Sequence, residues 1–108
     1  MNSCIFCKIA NKEENSDIVF EDQDMIVIKD IHPKSPTHLL IIPKKHINSV
    51  KDAGEEDVLL LGKLILTAKK VAGQKGLDYY NLKINTGRGA GQLIDHIHMH
   101  LESNAIRN

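Results

Sequence analysis

The segment His96-Ile97-His98-Met99-His100-Leu101 alternates an imidazole with a large apolar side chain. A period of two is the pattern of a strand with one face in a core, because residues two apart point the same way and lie about 6.6 Å apart along it. Ile97, Met99 and Leu101 are therefore expected to face the interior, with His96, His98 and His100 in a row on the opposite face. A purification-tag remnant is a poor explanation. Tags are contiguous histidines at a chain end, whereas here each imidazole is separated by a residue that specifies a buried face. Such a row serves either to bind a metal or to act on a substrate as nucleophile and acid/base, and spacing alone does not choose.

Working outward, the neighbouring segments supply a sheet and a helix. Ile18-Val19-Phe20-Glu21 and Met25-Ile26-Val27-Ile28 are apolar, β-branched runs separated by Asp22-Gln23-Asp24, which reads as a hairpin. The loop Asp30 to Pro36 carries two prolines and leads into a third strand, His38 to Pro43. Asp52 and Glu55 have capping-box spacing, and Val58, Leu61, Ile65, Ala68 and Ala72 recur at intervals of three and four. This predicts a helix from about Glu55 to Gln74, with Gly76 near its stop. Tyr79 to Asn85 reads as a fourth strand, Thr86 to Gln92 as a glycine-rich loop and Ile94 to Leu101 as a fifth strand. A helical turn is expected around Cys4 to Ala10. The expected fold class is α+β: a mainly antiparallel five-stranded sheet with one long helix and a short N-terminal helix, forming a single domain over residues 1–108. Only the connection between the third and fourth strands is long enough for a parallel crossover.

Fourteen Lys and Arg balance fourteen Asp and Glu, so no overall field favours a nucleic acid polymer or an acidic membrane surface. No apolar run approaches the roughly 20 residues needed to span a bilayer, and the first residues lack the pattern of a secretion signal. A cytoplasmic protein acting on a small substrate is expected. The two cysteines, Cys4 and Cys7, have a spacing that favours metal or redox chemistry over a structural disulfide in a reducing compartment. A domain of this size buries only about two thirds of its unfolded surface, which makes dimerisation a reasonable expectation. Gly87-x-Gly89-x-Gly91 is not a dinucleotide fingerprint, because a strand rather than a helix is expected to follow it.

Thr37-His38-Leu39-Leu40-Ile41-Ile42-Pro43-Lys44-Lys45-His46, Asn85-Thr86-Gly87, Gly91-Gln92 and the alternating histidines occur in this order over nearly the whole chain, which resembles the histidine triad (HIT) family, its small Hint-type or bacterial branch. The resemblance implies a HIT fold and a homodimer formed through the long helix and fourth strand. It also implies a purine nucleotide substrate. By the same resemblance, His98 attacks the α-phosphorus to form a covalent nucleotidyl-imidazole that water hydrolyses, its other ring nitrogen being held by a main-chain carbonyl. His100 then assists with phosphoryl charge or proton transfer, and His38 supports it from the neighbouring strand. Asn85, Gly91 and Gln92 fall at phosphate-side contacts and Asp30 and Ile31 at ribose and base contacts, with Phe6 and Ile9 on the base side. Some relatives hold zinc with two histidines, and the matching positions imply a structural Zn2+ on Cys4, Cys7, His46 and His96; no organic cofactor is implied. His32 has no matching role and is expected in an exposed loop.

Three positions depart from the pattern. Leu93 stands where a small polar residue often follows Gly-Gln, Asp95 where an aromatic or proline commonly precedes the triad, and Glu102 where an apolar residue follows the third histidine. The activity implied is hydrolysis of nucleoside 5′-phosphoramidates or related adducts such as aminoacyl-adenylates to the nucleoside monophosphate. The alternatives are a dinucleoside polyphosphate hydrolase and a nucleotide-binding or scaffolding module with little turnover. A nucleotidyltransferase is disfavoured because His100 stands where that branch usually has glutamine.

Overall fold

The computed structural model describes residues 3–105. Its helices are α1 (Ile5–Ala10) and α2 (Val58–Gln74), and its strands are β1 (Ile18–Glu21), β2 (Met25–Lys29), β3 (Thr37–Pro43), β4 (Asn81–Lys83) and β5 (Met99–Ser103). The strands form one sheet in the order β1-β2-β3-β5-β4, and every neighbouring pair is antiparallel. The helical connection does join strands running in the same direction, but β5 inserts between β3 and β4, so no parallel pair forms.

β2 and β3 are covered on both faces, which explains why they read as continuous apolar runs rather than alternating ones. Met25, Val27, Leu39 and Ile41 point towards α2, where they pack with Leu64, Ala68 and Val71 and with Ile97, Met99 and Leu101. Ile26, Ile28, Leu40 and Ile42 point the other way, under Phe6 and Ile9 of α1. The imidazoles of His98 and His100 alternate with the helix-side residues and so come to lie on the α1 side. The sheet thus has an apolar cluster on each face, with the imidazoles of His98 and His100 on the α1 side.

Four local expectations are corrected. β5 begins at Met99 rather than Ile94, because the amide of His96 turns back to the Ile94 carbonyl (2.9 Å) and that of Ile97 bonds the Ile47 carbonyl (2.8 Å). His96 and His98 therefore sit in the bent segment leading into the strand. β4 is only Asn81–Lys83 and forms an exposed edge. The helix is preceded by a 3-10 turn, Glu55–Asp57, and the carboxylate that accepts a main-chain amide there is Asp57, from Gly54 at 2.9 Å; Asp52 instead accepts from the Ser49 hydroxyl. The buried stripe of α2 is Leu64, Thr67, Ala68, Val71 and Ala72, leaving Val58, Leu59, Ile65 and Leu66 more than half exposed. Gly76 ends the helix as expected, at φ +69°, a conformation that costs glycine little.

Candidate active site

The Asp30–Pro36 loop, α1, the loop after β4 and the entry to β5 enclose a cleft of about 420 Å³. Its apolar wall includes Phe6, Ile9, Ile28 and Leu40, and its polar side includes Asp30, Asn85, Gly91, His98 and His100. Ile31 and Leu93 stand at its mouth, 83% and 78% exposed, and exposed His32 lines the rim. Gly91 has φ +93°, and a Cβ there would meet the Asn85 amide at 3.7 Å, so the loop brings its backbone close to that side chain.

His98 is buried beside Phe6, with ring centroids 5.0 Å apart. Its Nδ1–H donates to the His96 carbonyl at 2.8 Å, which leaves Nε2 as the nitrogen with an available lone pair. Burial holds its pKa below the ordinary histidine value, which favours the neutral ring, the form with a lone pair to attack.

His100 and His38 form a directed pair. The Lys34 amide donates to His38 Nδ1 at 3.0 Å, so in the neutral ring the proton must sit on Nε2. That Nε2–H lies 2.9 Å from His100 Nδ1, which places the His100 proton on its own Nε2. Burial, then the neighbouring His98 and His38 rings, push the His100 pKa down to about 4. His38 does not line the cleft; it stands behind His100. Two carboxylates also approach His38 Nε2, Asp30 Oδ2 at 3.2 Å and Glu102 Oε2 at 3.5 Å. Asp30 is further engaged through Oδ1, which accepts the His32 amide at 2.9 Å.

Gln92 lies outside the cleft. Its buried amide is spent within the protein: Oε1 accepts the Gly87 amide, and Nε2 donates to the carbonyls of Asn48 (2.6 Å) and Ile94 (3.0 Å). Its own main-chain amide donates to the Gly87 carbonyl at 3.1 Å. The expected phosphate contact is therefore replaced by a bracing role. Arg88 braces the same loop by donating to the carbonyls of Leu93 and Gln92 and pairing with Asp95 at 3.0 Å. The Asp95 departure thus has a partner that was not foreseen.

At the other end of the row, Cys4, Cys7, His46 and His96 bring one donor atom each within 4.8 Å of one another. Zinc at about 2.3 Å from sulfur and about 2.0–2.1 Å from nitrogen sets tetrahedral S···N edges of about 3.5 Å and N···N edges of about 3.3 Å. Here Sγ of Cys4 is 3.3 Å and Sγ of Cys7 3.6 Å from His96 Nδ1, Sγ of Cys7 is 3.2 Å from His46 Nδ1, and the two Nδ1 atoms are 3.1 Å apart. Each ring is oriented by its far nitrogen: His96 Nε2–H donates to the Pro43 carbonyl and His46 Nε2–H to Asn48 Oδ1, both at 2.7 Å. Two Nδ1 lone pairs are thereby aimed at each other, an arrangement a shared cation relieves. The cluster fits a four-coordinate metal ion.

A small antiparallel α+β domain with an imidazole row at the rim of a cleft defines the class. The family described as "Scavenger mRNA decapping enzyme C-term binding" matches residues 3–107. The purine nucleoside phosphoramidase of Escherichia coli K12 is 46% identical over 99 residues, spanning 90% of this chain and 83% of that protein. The crystal structure of a HIT family hydrolase from Legionella pneumophila Philadelphia 1 superposes with a TM-score of 0.92 at 45% identity, covering 95% of this chain and 94% of that one. A zinc-bound histidine triad family protein from Mycobacterium smegmatis superposes at 0.81 with 32% identity, over 95% and 76% of the two chains. The chain belongs to the histidine triad family.

Proposed function

We propose that this protein hydrolyses nucleoside 5′-phosphoramidates, or related purine nucleotide adducts such as aminoacyl-adenylates, to the nucleoside monophosphate. The observation that carries the reading is the His98 Nδ1–H bond to the His96 carbonyl, which leaves Nε2 with the lone pair that a nucleophile needs. Nε2 attacks the α-phosphorus, the bond from phosphorus to the leaving nitrogen breaks, and the departing amine takes up a proton. Water then attacks the same phosphorus and releases His98. His100, with its proton on Nε2, is the donor nearest this chemistry, and His38 orients it. Asn85 and Gly91 serve the phosphate side, and Asp30 and Ile31 serve the ribose and base beside the wall of Phe6 and Ile9. The purine preference is taken from the Escherichia coli relative.

Cys4, Cys7, His46 and His96 would hold zinc, and with four protein donors the ion would serve as a cross-link between α1, the turn after β3 and the approach to β5. Among the described residues no helix is long and apolar enough to cross a membrane, and reduced thiolate ligands suit a cytoplasmic setting. The exposed apolar residues of α2 and the exposed edge strand β4 support a homodimer through those elements.

The test is turnover of adenosine 5′-phosphoramidate by the wild-type protein and by His98→Ala. AMP formation by the wild type and its loss in the variant support the reading, and equal turnover by the two overturns it. Faster cleavage of diadenosine polyphosphate than of the phosphoramidate would replace it with the polyphosphate hydrolase. Tight AMP binding without turnover of either substrate would replace it with a binding module.

A further inference from the structure

The alternation that presents His98 and His100 continues one step further, to Glu102. Register places Glu102 directly opposite His38 across the β3–β5 pair, so the two side chains share the face on which His100 stands. Glu102 Oε2 is buried and makes no hydrogen bond among the described residues. His38 Nε2 and Lys83 Nζ each lie 3.5 Å from it. A buried carboxylate oxygen without a donor is costly, and its retention beside a polar pair calls for a role.

Proton bookkeeping on the pair supplies one. His38 has a single proton, fixed on Nε2 by the Lys34 amide at Nδ1, and three acceptors face it: His100 Nδ1, Asp30 Oδ2 and Glu102 Oε2. While His100 is neutral, its Nδ1 takes that hydrogen bond. When His100 gains a second proton, at Nδ1, two N–H groups confront each other at close range. The His38 proton must then turn to a carboxylate, and the new positive charge needs a counter-charge. We propose that Glu102 is a positioning residue that, with Asp30, accepts a hydrogen bond from His38 Nε2–H and, remaining ionised, balances the charge whenever His100 becomes an imidazolium. Asp30 already bonds the His32 amide and is assigned to the substrate ribose, which leaves Glu102 as the carboxylate dedicated to the pair. The other groups facing the pair are His98 and Lys83, both of which oppose a second proton on His100; Phe6 and Ile9 of α1 are apolar.

The role as counter-charge stands on the pair's geometry, whereas its kinetic consequence rests on the hydrolase reading, and the experiment separates the two. Long-range 1H–15N NMR follows the ring nitrogens of His38 and His100 through an acid titration of the wild type, E102Q, E102D and K83A, without nucleotide. Loss of the carboxylate is expected to lower the protonation midpoint of the pair by about half a pH unit or more, with substantial recovery in E102D. Removing the competing cation in K83A is expected to raise it. In E102Q, kcat on adenosine 5′-phosphoramidate is expected to fall about 3- to 10-fold, with KM within about twofold. Unchanged midpoints in E102Q overturn the proposal; should E102Q fail to fold, an unchanged midpoint in K83A does so. Shifted midpoints in a protein that does not cleave the phosphoramidate would leave Glu102 its role and overturn the hydrolase reading.

Discussion

Two histidine clusters lie at the two ends of one row and use the same ring differently. In the Cys4, Cys7, His46 and His96 group, acceptors hold the outer Nε2–H of both imidazoles, so two Nδ1 lone pairs converge at 3.1 Å. In the His38 and His100 pair a donor, the Lys34 amide, holds Nδ1 of His38, so a proton rather than a lone pair points inward. The first arrangement asks for a cation and the second conducts or orients a proton. Asp30, His38 and His100 also lie close enough together to suggest a metal site by distance alone. The Lys34 contact argues against it, because a metal on His38 Nε2 would displace the only proton that ring carries. What the far nitrogen touches decides what the near one does.

The contrast can be broken most severely at His98. Its replacement by alanine is expected to reduce phosphoramidate turnover by about 10⁴-fold or more, measured by AMP release, while the far-UV circular dichroism stays native. A smaller but still large effect is expected at the other end. Removing the proposed zinc with a strong chelator, or replacing His96 with alanine, is expected to lower the Tm by about 10 °C or more, since the loss of a structural ion costs several kcal/mol. Scanning calorimetry with metal analysis checks this, and the fraction that remains folded should keep His98 reactive. If zinc loss instead abolished turnover with no change in Tm, the division of labour would be reversed.

The mildest expected effect is that of pH. Burial pushes His100 down to about 4 from the ordinary 6.5, and lowers His98 as well. Between those values the unfolded chain binds protons that the folded one refuses. The contribution is therefore fully present above about pH 6.5 and is lost as pH falls towards 4. Tm measured in steps across that window should decline, and the decline should be shallower in His100→Asn. An equal decline in the variant would place the linkage elsewhere.

Much of this was legible from local pattern. The alternation of Ile97, Met99 and Leu101 with His98 and His100 set which of these side chains face α2 and which face the cleft, and the hairpin, β3 and α2 followed from apolar runs and helical spacing. The parts that escaped depend on distant backbone. Insertion of β5 between β3 and β4 is a pairing choice that no single segment encodes. Gln92 looked available for phosphate until Asn48, Gly87 and Ile94 were found to take its amide. Val58 and Ile65 shared the helical period of Ala68 and Ala72, yet the buried stripe of α2 runs along Leu64, Thr67, Ala68, Val71 and Ala72 and leaves them largely exposed. Glu102 was visible as an exception, but its meaning required the register that sets it against His38.

The most direct test of the account is the tautomer of each ring, read at neutral pH from long-range 1H–15N NMR of uniformly labelled protein. The expected map has the proton on Nε2 in His38, His46, His96 and His100 and on Nδ1 in His98, with zinc-type shifts confined to Nδ1 of His46 and His96. A proton on Nε2 of His98, or on Nδ1 of His38, would contradict the assignment of nucleophile and relay.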